Sequence, residues 1–136
     1  MKVFISGSKS ISALSDEVKS LLDTFIATDA EILVGDCYGV DAAVQKYLES
    51  KGYGNATIYC SGMTPRNNFA PSAKICSCAE NAVGLTGSEF HYVKDIQMDN
   101  DCDQAIMVWD GKSKGTAENI RRMKEMGKPY RIITED

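Results

Sequence analysis

The chain has 136 residues, with 15 Lys and Arg against 19 Asp and Glu, a formal net charge of −4, and a single histidine, His91. At this length we expect one domain over residues 1–136, because a second domain would leave neither with a core. The 43% hydrophobic and 25% charged residues are typical of a globular protein and exclude the disordered and fibrous classes.

The hydrophobic segments are short. The longest strongly apolar run, residues 105–109, is far below the length of about 20 residues that a membrane span needs. The apolar run after Lys2 is too short for a secretory signal. We therefore predict a cytoplasmic protein with no membrane partner.

The five cysteines, at positions 37, 60, 76, 78 and 102, are odd in number and lack C-x-x-C spacing. This pattern favours free thiols over a disulfide framework or a zinc ribbon. Cys76, Cys78 and His91 offer three soft ligands without a fourth at a recognisable spacing, so we expect neither a metal nor a cofactor. A single histidine also disfavours mechanisms built on a Ser-His-Asp triad.

The first half of the chain alternates strands and helices. Continuous apolar runs predict strands over residues 2–6, 31–35 and 56–60. Apolar residues at helical spacing predict one helix from the N-cap Ser15 to Ile26, and a second from Val40 to Leu48 that ends at Gly52. Short connections between strands without a polar face indicate a parallel sheet covered on both sides.

Residues 61–90 contain several Pro, Gly and Asn residues, which predict loops with one short helix near residues 72–82. We then expect a helix over about residues 92–100, a strand over 104–109, a loop over 110–115, a helix over 116–126 and a strand over 130–134. The fold class is therefore α/β, a single Rossmann-like three-layer domain with a five-stranded, mostly parallel sheet.

Ligands of open parallel sheets bind beyond the carboxyl ends of the strands, so the loops there are the candidate site. The loop before the helix at Thr116 is the most informative. Gly111 and Gly115 allow close approach of the backbone, and the helix N-terminus favours an anion. Lys112, Ser113 and Lys114 add donors, so a phosphate fits there; the alternative is a polar turn with a helix cap. The loop is not a P-loop, because no Lys follows the second glycine.

Other loops supply charged candidates. Asp36 follows a buried strand and could hold a ribose hydroxyl or a leaving group. Asp41 could bind a ligand or could only stabilise the N-terminus of its helix. Arg66 offers bidentate recognition of phosphate, with a solvated loop arginine as the alternative. Trp109 and Tyr38 are candidates to stack on a base, although Trp109 could also belong to the core.

These loops together resemble the SLOG superfamily of Rossmann-like domains, which includes the DprA DNA-processing proteins and the Lonely Guy enzymes. The resemblance covers nearly the whole chain. The segments that carry it are Val-Phe-Ile-Ser-Gly-Ser-Lys-Ser (3–10), Ile-Leu-Val-Gly-Asp-x-x-Gly-Val-Asp-x-Ala-Val-Gln (32–45), Arg-Asn-Asn (66–68), Lys-Asp-x-x-Met (94–98) and Trp-Asp-Gly-Lys-Ser-x-Gly-Thr-x-x-Asn (109–119).

The resemblance implies a nucleotide or nucleotide-derived ligand, with its phosphate on the loop before Thr116, and a homodimer or higher homo-oligomer. The candidate ligand-binding residues are Gly7, Ser8, Lys9, Asp36, Gly39, Asp41, Arg66, Asn67, Asn68, Lys94, Asp110, Gly111, Lys112, Ser113, Gly115, Thr116 and Asn119.

In the Lonely Guy enzymes, which release a base from a nucleoside monophosphate, the corresponding loop reads P-G-G-x-G-T-x-x-E and its Glu is catalytic. Here Asn119 stands at that position, and Glu118 points about 100° away around the helix. Lys94 is the nearest counterpart of the enzymes' catalytic arginine. Asp36, Asp110 and Glu118 remain as candidate catalytic carboxylates, by analogy with glycosidases.

These departures favour a nucleotide-binding sensor or sequestering module. The alternative is an N-glycosidic hydrolase of nucleoside monophosphates. DNA binding of the DprA kind has less support, because the chain is net negative and lacks a contiguous basic run.

Overall fold

A computed structural model describes residues 1–135, and Asp136 lies outside them. The described chain forms six strands, four α-helices and one short 3₁₀ helix. The strands are β1 (Lys2–Gly7), β2 (Glu31–Val34), β3 (Ala56–Cys60), β4 (Lys74–Ser77), β5 (Gln104–Trp109) and β6 (Tyr130–Thr134). The helices are α1 (Asp16–Ala27), α2 (Val40–Ser50), α3 (Gly87–Asp101) and α4 (Lys114–Met126), and the 3₁₀ helix spans Ala79–Ala82.

All six strands are parallel, in the order β4-β3-β2-β1-β5-β6. The chain builds outward from β1 to β4, and α3 then carries it back to β5 on the other side of β1. The order of the strands therefore reverses between β1 and β5, and in open α/β sheets ligands bind beyond the carboxyl ends of the strands at such a switch point.

The sheet lies between two helical layers, because alternate residues of each strand point to opposite faces. On β1, Val3 and Ile5 pack with α1 and α2 through residues such as Leu22 and Val44. Phe4 instead joins the other cluster, together with residues of α3 and α4 such as Met98 and Met123. The structure thus confirms the three-layer, parallel α/β fold expected from the sequence.

The ends of three helices lie at capping residues that the sequence predicts. The Ser15 side chain accepts a hydrogen bond from the Val18 N–H at 3.3 Å and caps α1. Gly52 (φ 64°) follows α2, and Gly127 (φ 68°) follows α4; both adopt the left-handed conformation that glycine favours. Among the described helices, none combines the length and the apolar character that crossing a bilayer requires.

The prediction of a five-stranded sheet was wrong by one strand. Residues 72–82, expected to hold a short helix within loops, contain β4 as well as the 3₁₀ helix at Ala79–Ala82. β4 is a four-residue edge strand with three exposed residues, so it lacks the apolar run of the inner strands. In addition, α3 begins at Gly87, five residues before the predicted start, and α4 begins at Lys114, two residues before the predicted start.

Candidate functional site

A cavity of about 510 Å³ opens at the switch point, beyond the carboxyl ends of β1 and β5 and between the N-terminal halves of α3 and α4. Residues from all these elements line it: Phe4, Ser6, Gly7, Ser8, Lys9, Ser10, Cys37, Asp41, Arg66, Ser88, His91, Tyr92, Lys94, Asp95, Met98, Asp110, Ser113, Lys114, Gly115, Thr116 and Asn119.

The loop after β5 is ordered by Asp110. Its Oδ1 accepts the N–H groups of Lys112 and Ser113, both at 2.8 Å, and its Oδ2 accepts the Ser10 hydroxyl at 2.7 Å. The hydrogen bond from Ser10 and the two backbone N–H groups hold the pKa of this exposed carboxyl well below its usual range. Asp110 thus engages the backbone N–H groups of Lys112 and Ser113, two of the residues that the sequence predicts as phosphate ligands.

Two further contacts tie this loop to the sheet. The hydroxyl of Ser8, directly after β1, lies 2.7 Å from the Ser113 hydroxyl and accepts the Asp110 N–H at 3.0 Å. The half-buried indole of Trp109 donates to the Ser113 carbonyl at 3.0 Å. Trp109 therefore braces the loop and does not line the cavity.

The donors that remain free belong to the first turn of α4. The first backbone bond of this turn runs from the Ala117 N–H to the Ser113 carbonyl at 3.3 Å. Within residues 1–135, the N–H groups of Lys114, Gly115 and Thr116 have no hydrogen-bond acceptor, and all three residues line the cavity. This turn contains no acidic residue. Free N–H groups and the positive end of the helix dipole make it favourable for an anion.

Gly115 leaves this turn accessible. A Cβ atom added there would have the Tyr92 ring as its nearest neighbour, at 3.9 Å. The backbone at Gly115 is therefore reached from the cavity without a side chain in the way.

Cations stand around the entrance. Lys9 and Lys114 are exposed, and Arg66, in the loop after β3, also lines the cavity. The Arg66 Nη2 atom lies 2.8 Å from Asp36 Oδ1, and the Arg66 N–H donates to Asp36 Oδ2 at 2.9 Å. Burial raises the pKa of Asp36, but the hydrogen bonds and charge of Arg66 outweigh it and lower the pKa. Asp36 therefore positions Arg66 from behind the cavity wall.

Charged groups are also buried in the cavity. The Lys94 ammonium lies 2.8 Å from Asp95 Oδ1 and 3.4 Å from the His91 carbonyl. Asp41 Oδ2 accepts the Cys37 N–H at 3.1 Å. Burial, only partly offset by Lys94, raises the pKa of Asp41 to about 6. The pKa of Lys94 is also raised, because Asp95 and Asp41 outweigh the effect of its burial.

Asn119 connects Asp95 to polar groups in the core of the protein. Its amide Nδ2 donates to Ser6 Oγ at 3.0 Å and to Asp95 Oδ2 at 3.4 Å. Its Oδ1 accepts from Arg122 at 2.7 Å, and Arg122 in turn pairs with the buried Asp99 at 2.6 Å. Both ends of the Asn119 amide are thus bonded within the protein, to Ser6 and Asp95 at the nitrogen and to Arg122 at the oxygen.

The structure places eleven of the sequence-predicted site residues in the cavity wall: Gly7, Ser8, Lys9, Asp41, Arg66, Lys94, Asp110, Ser113, Gly115, Thr116 and Asn119. Gly39 and Asn67 line a neighbouring groove of about 370 Å³ that shares Lys9 with the cavity and also contains the exposed Tyr38. The other predicted site residues do not line the cavity within the described part of the chain; they are Asp36, Asn68, Gly111, Lys112 and Glu118.

Glu118 points away from the cavity. Its carboxylate binds the exposed Arg121 at 2.6 Å on the outer surface of α4. Asn68 instead accepts the Ala70 N–H at 3.3 Å within its own loop. Of the three candidate catalytic carboxylates, Asp110 alone lines the cavity, and it is bonded to its own loop.

Sequence reasoning missed one side of α3. Cavity-lining residues Ser88, His91, Tyr92, Asp95 and Met98 follow the spacing i, i+3, i+4, i+7 and i+10, which places them on one helical face. This spacing was visible in the sequence. The predicted helix over about residues 92–100 leaves Ser88 and His91 in a loop. Tyr92, Asp95 and Met98 lie within that predicted helix, but Lys94 is its only residue among the predicted site residues.

Within residues 1–135, no cluster of three or more His, Cys, Asp or Glu side chains is placed to hold a metal ion. All five cysteines are free thiols. Neither a model of a known protein family nor a curated protein sequence matches the chain.

Proposed function

We propose that this protein binds a nucleotide or nucleotide-derived small molecule, with the phosphate on the N-terminus of α4. The observation that carries the proposal is a set of three backbone N–H groups without acceptors, at cavity-lining residues Lys114, Gly115 and Thr116 in the first turn of α4. A phosphate supplies several strong acceptors and a negative charge in one compact group, which suits these donors and the helix dipole.

The charges around the entrance support an anionic ligand. Lys9, Arg66 and Lys114 surround it although the chain as a whole is net negative. Local positive charge of this kind concentrates anions at a cleft. The resemblance of the loop sequences to the SLOG superfamily, which implies a nucleotide-derived ligand, supports the same proposal. Because the predicted catalytic carboxylates are engaged in structural hydrogen bonds, we favour a role in sensing or sequestering the ligand.

Calorimetric titration with 5′-nucleoside monophosphates and diphosphates, each compared with its nucleoside, tests the proposal. We expect loss of the phosphate to weaken binding at least about tenfold, because charge-assisted hydrogen bonds disappear. No binding by any nucleotide in the panel, or equal binding of nucleoside and nucleotide, would overturn it.

A pair of variants tests whether the phosphate binds at the first turn of α4. Gly115→Asp places a carboxylate at the proposed phosphate position, while an acidic residue in the first turn still favours the helix. We expect this variant to fold and to lose nucleotide binding. Ala117→Asp adds the same charge to the same helix at a residue outside the cavity wall, and it should bind nearly as the wild type does.

A second candidate function is hydrolysis of the N-glycosidic bond of a nucleoside monophosphate. The observation in its favour is Asp41, a buried carboxyl in the cavity wall whose pKa of about 6 allows it to exchange a proton near neutral pH. Chromatographic detection of released base, abolished in Asp41→Asn, would support this function. Saturable nucleotide binding without base release would rule it out and leave the binding function.

A further inference from the structure

The cavity has two ends of different chemistry. We call its buried end, formed by Asp41, Lys94, Asp95 and Asn119, the floor, and its exposed cations and the first turn of α4 the rim. Lys94 is 5% exposed and Asp41 is 7% exposed, whereas Lys9 and Lys114 at the rim are exposed. The rim is positive, while the floor holds two carboxyl groups against one ammonium group.

Both carboxylate oxygens of Asp95 accept a hydrogen bond, so the least satisfied polar groups of the floor are Asp41 and Lys94. The Asn119 amide is bonded at both ends, as described above. The Lys94 ammonium has three N–H groups, and its side-chain bonds go to two acceptors, Asp95 and the His91 carbonyl. Asp41 receives one hydrogen bond, from the Cys37 N–H, although a carboxylate accepts several. The floor thus offers an acceptor and a donor to a ligand.

This combination discriminates among the parts of a nucleotide. A phosphate at the floor would meet Asp41 and Asp95, two groups that carry negative charge when ionised, so the rim is the better place for it. An apolar group would leave buried charged groups without partners, which is costly. A hydroxyl group both donates and accepts, so it satisfies a carboxylate and an ammonium together.

We propose that the floor binds a sugar hydroxyl of the ligand, which donates to Asp41 and accepts from Lys94, so that the site selects ribonucleotides over nucleotides that lack these hydroxyls. This inference rests on the proposed function, because it assumes that the phosphate lies at the rim. Asp41 is then the residue that determines sugar specificity.

Calorimetric titration of the wild type with a ribonucleoside 5′-monophosphate and its 2′,3′-dideoxy analogue tests the inference. Both ligands carry the same base and phosphate. We expect the dideoxy analogue to bind at least about tenfold more weakly, because the buried donor and acceptor lose their partner. Equal affinities would overturn the sugar assignment while the proposed phosphate site stands; no binding of either nucleotide would overturn the proposed function and this inference with it.

The variant Asp41→Asn tests whether the preference for the ribonucleotide depends on Asp41. Asp41→Asn keeps the shape of the side chain and removes its charge, so we expect the preference for the ribonucleotide to fall several-fold. Glu125→Gln, on the exposed surface of α4, should keep the full preference. An unchanged preference in folded Asp41→Asn would overturn the role of Asp41, and the wild-type comparison decides the sugar assignment even if that variant does not fold.

Discussion

The carboxylate of Asp41 occupies the space that a side chain on Gly35 would fill. A Cβ atom added to Gly35, directly after β2, would lie 2.5 Å from Asp41 Oδ2 and 3.5 Å from a carbon of the Lys94 side chain. Glycine at the end of β2 therefore allows the second residue of α2 to place its carboxyl in the cavity wall.

Replacement of Gly35 by alanine tests this relationship. The added methyl group meets the end of the Asp41 side chain, so the carboxylate turns away while the backbone is retained. We expect Gly35→Ala to fold with a loss of about 1–3 kcal/mol in the free energy of unfolding and to lose the preference for ribonucleotides. Urea denaturation and calorimetric titration measure the two effects.

Gly54→Ala is the matched control, since its Cβ would lie 3.5 Å from the Ser72 carbonyl, an ordinary contact. It should bind as the wild type does. Retention of the full ribonucleotide preference by Gly35→Ala would contradict the positioning of Asp41 by Gly35.

The pKa of Asp41 predicts a pH dependence of stability. Burial raises this pKa from 3.8 to about 6 in the folded protein, so between these values the folded state holds a proton that the unfolded state has released. The contribution of Asp41 to the free energy of unfolding therefore decreases as pH rises from about 4 to about 6.

Asp41→Asn removes this contribution. Its free energy of unfolding relative to the wild type should increase over the same pH window, by on the order of 3 kcal/mol for a shift of about two pKa units. Urea denaturation of both proteins at pH 4, 5, 6 and 7 measures the difference. A difference that stays constant with pH would mean that Asp41 titrates normally in the folded protein.

Two adjacent arginines on α4 should differ sharply in their contribution to stability. Arg122 is 10% exposed at its side chain and pairs with the fully buried Asp99, while Arg121 binds Glu118 and Glu125 on the surface. Arg122→Ala leaves the buried Asp99 carboxyl and the Asn119 side-chain oxygen without their partner, so we expect it to cost about 3–5 kcal/mol. Arg121→Ala should cost less than about 1 kcal/mol. Similar losses in urea denaturation would contradict this assignment.

Glu118 provides a test of the site boundary. Because its carboxylate faces Arg121 on the outer surface of α4, we expect Glu118→Gln to bind nucleotides with an affinity within about twofold of the wild type. Calorimetric titration under identical conditions checks this. A loss of binding comparable with that of Gly115→Asp would place Glu118 in the site after all.

The inner part of the fold was predictable because β1, β2, β3 and β5 are buried on both faces and carry continuous apolar runs. Edge strand β4 was not predictable in this way, because most of its residues are exposed and form no apolar run. Its pairing with β3 is a tertiary contact that the local sequence does not indicate. The first turns of α3 were missed for a related reason: they face a polar cavity, so the apolar spacing that marks a helix is interrupted there.

The sequence predicts which loops meet at the candidate site. It does not predict the hydrogen bonds that form within and between those loops. The topology of a parallel sheet brings Ser8, Asp41 and Gly115 to one edge, which the sequence indicated. The capture of the Lys112 and Ser113 N–H groups by Asp110 depends on the conformation of the loop, which the sequence pattern does not specify.

The phosphate site at the N-terminus of α4 is tested most directly by a nuclear magnetic resonance titration of ¹⁵N-labelled protein with a ribonucleoside 5′-monophosphate. Phosphate binding at the N-terminus of α4 predicts that the backbone amide signals of Lys114, Gly115 and Thr116 shift together and saturate, and that the nucleoside leaves them nearly unchanged. Binding that leaves these three signals in place while amides elsewhere shift would contradict a phosphate site at the N-terminus of α4.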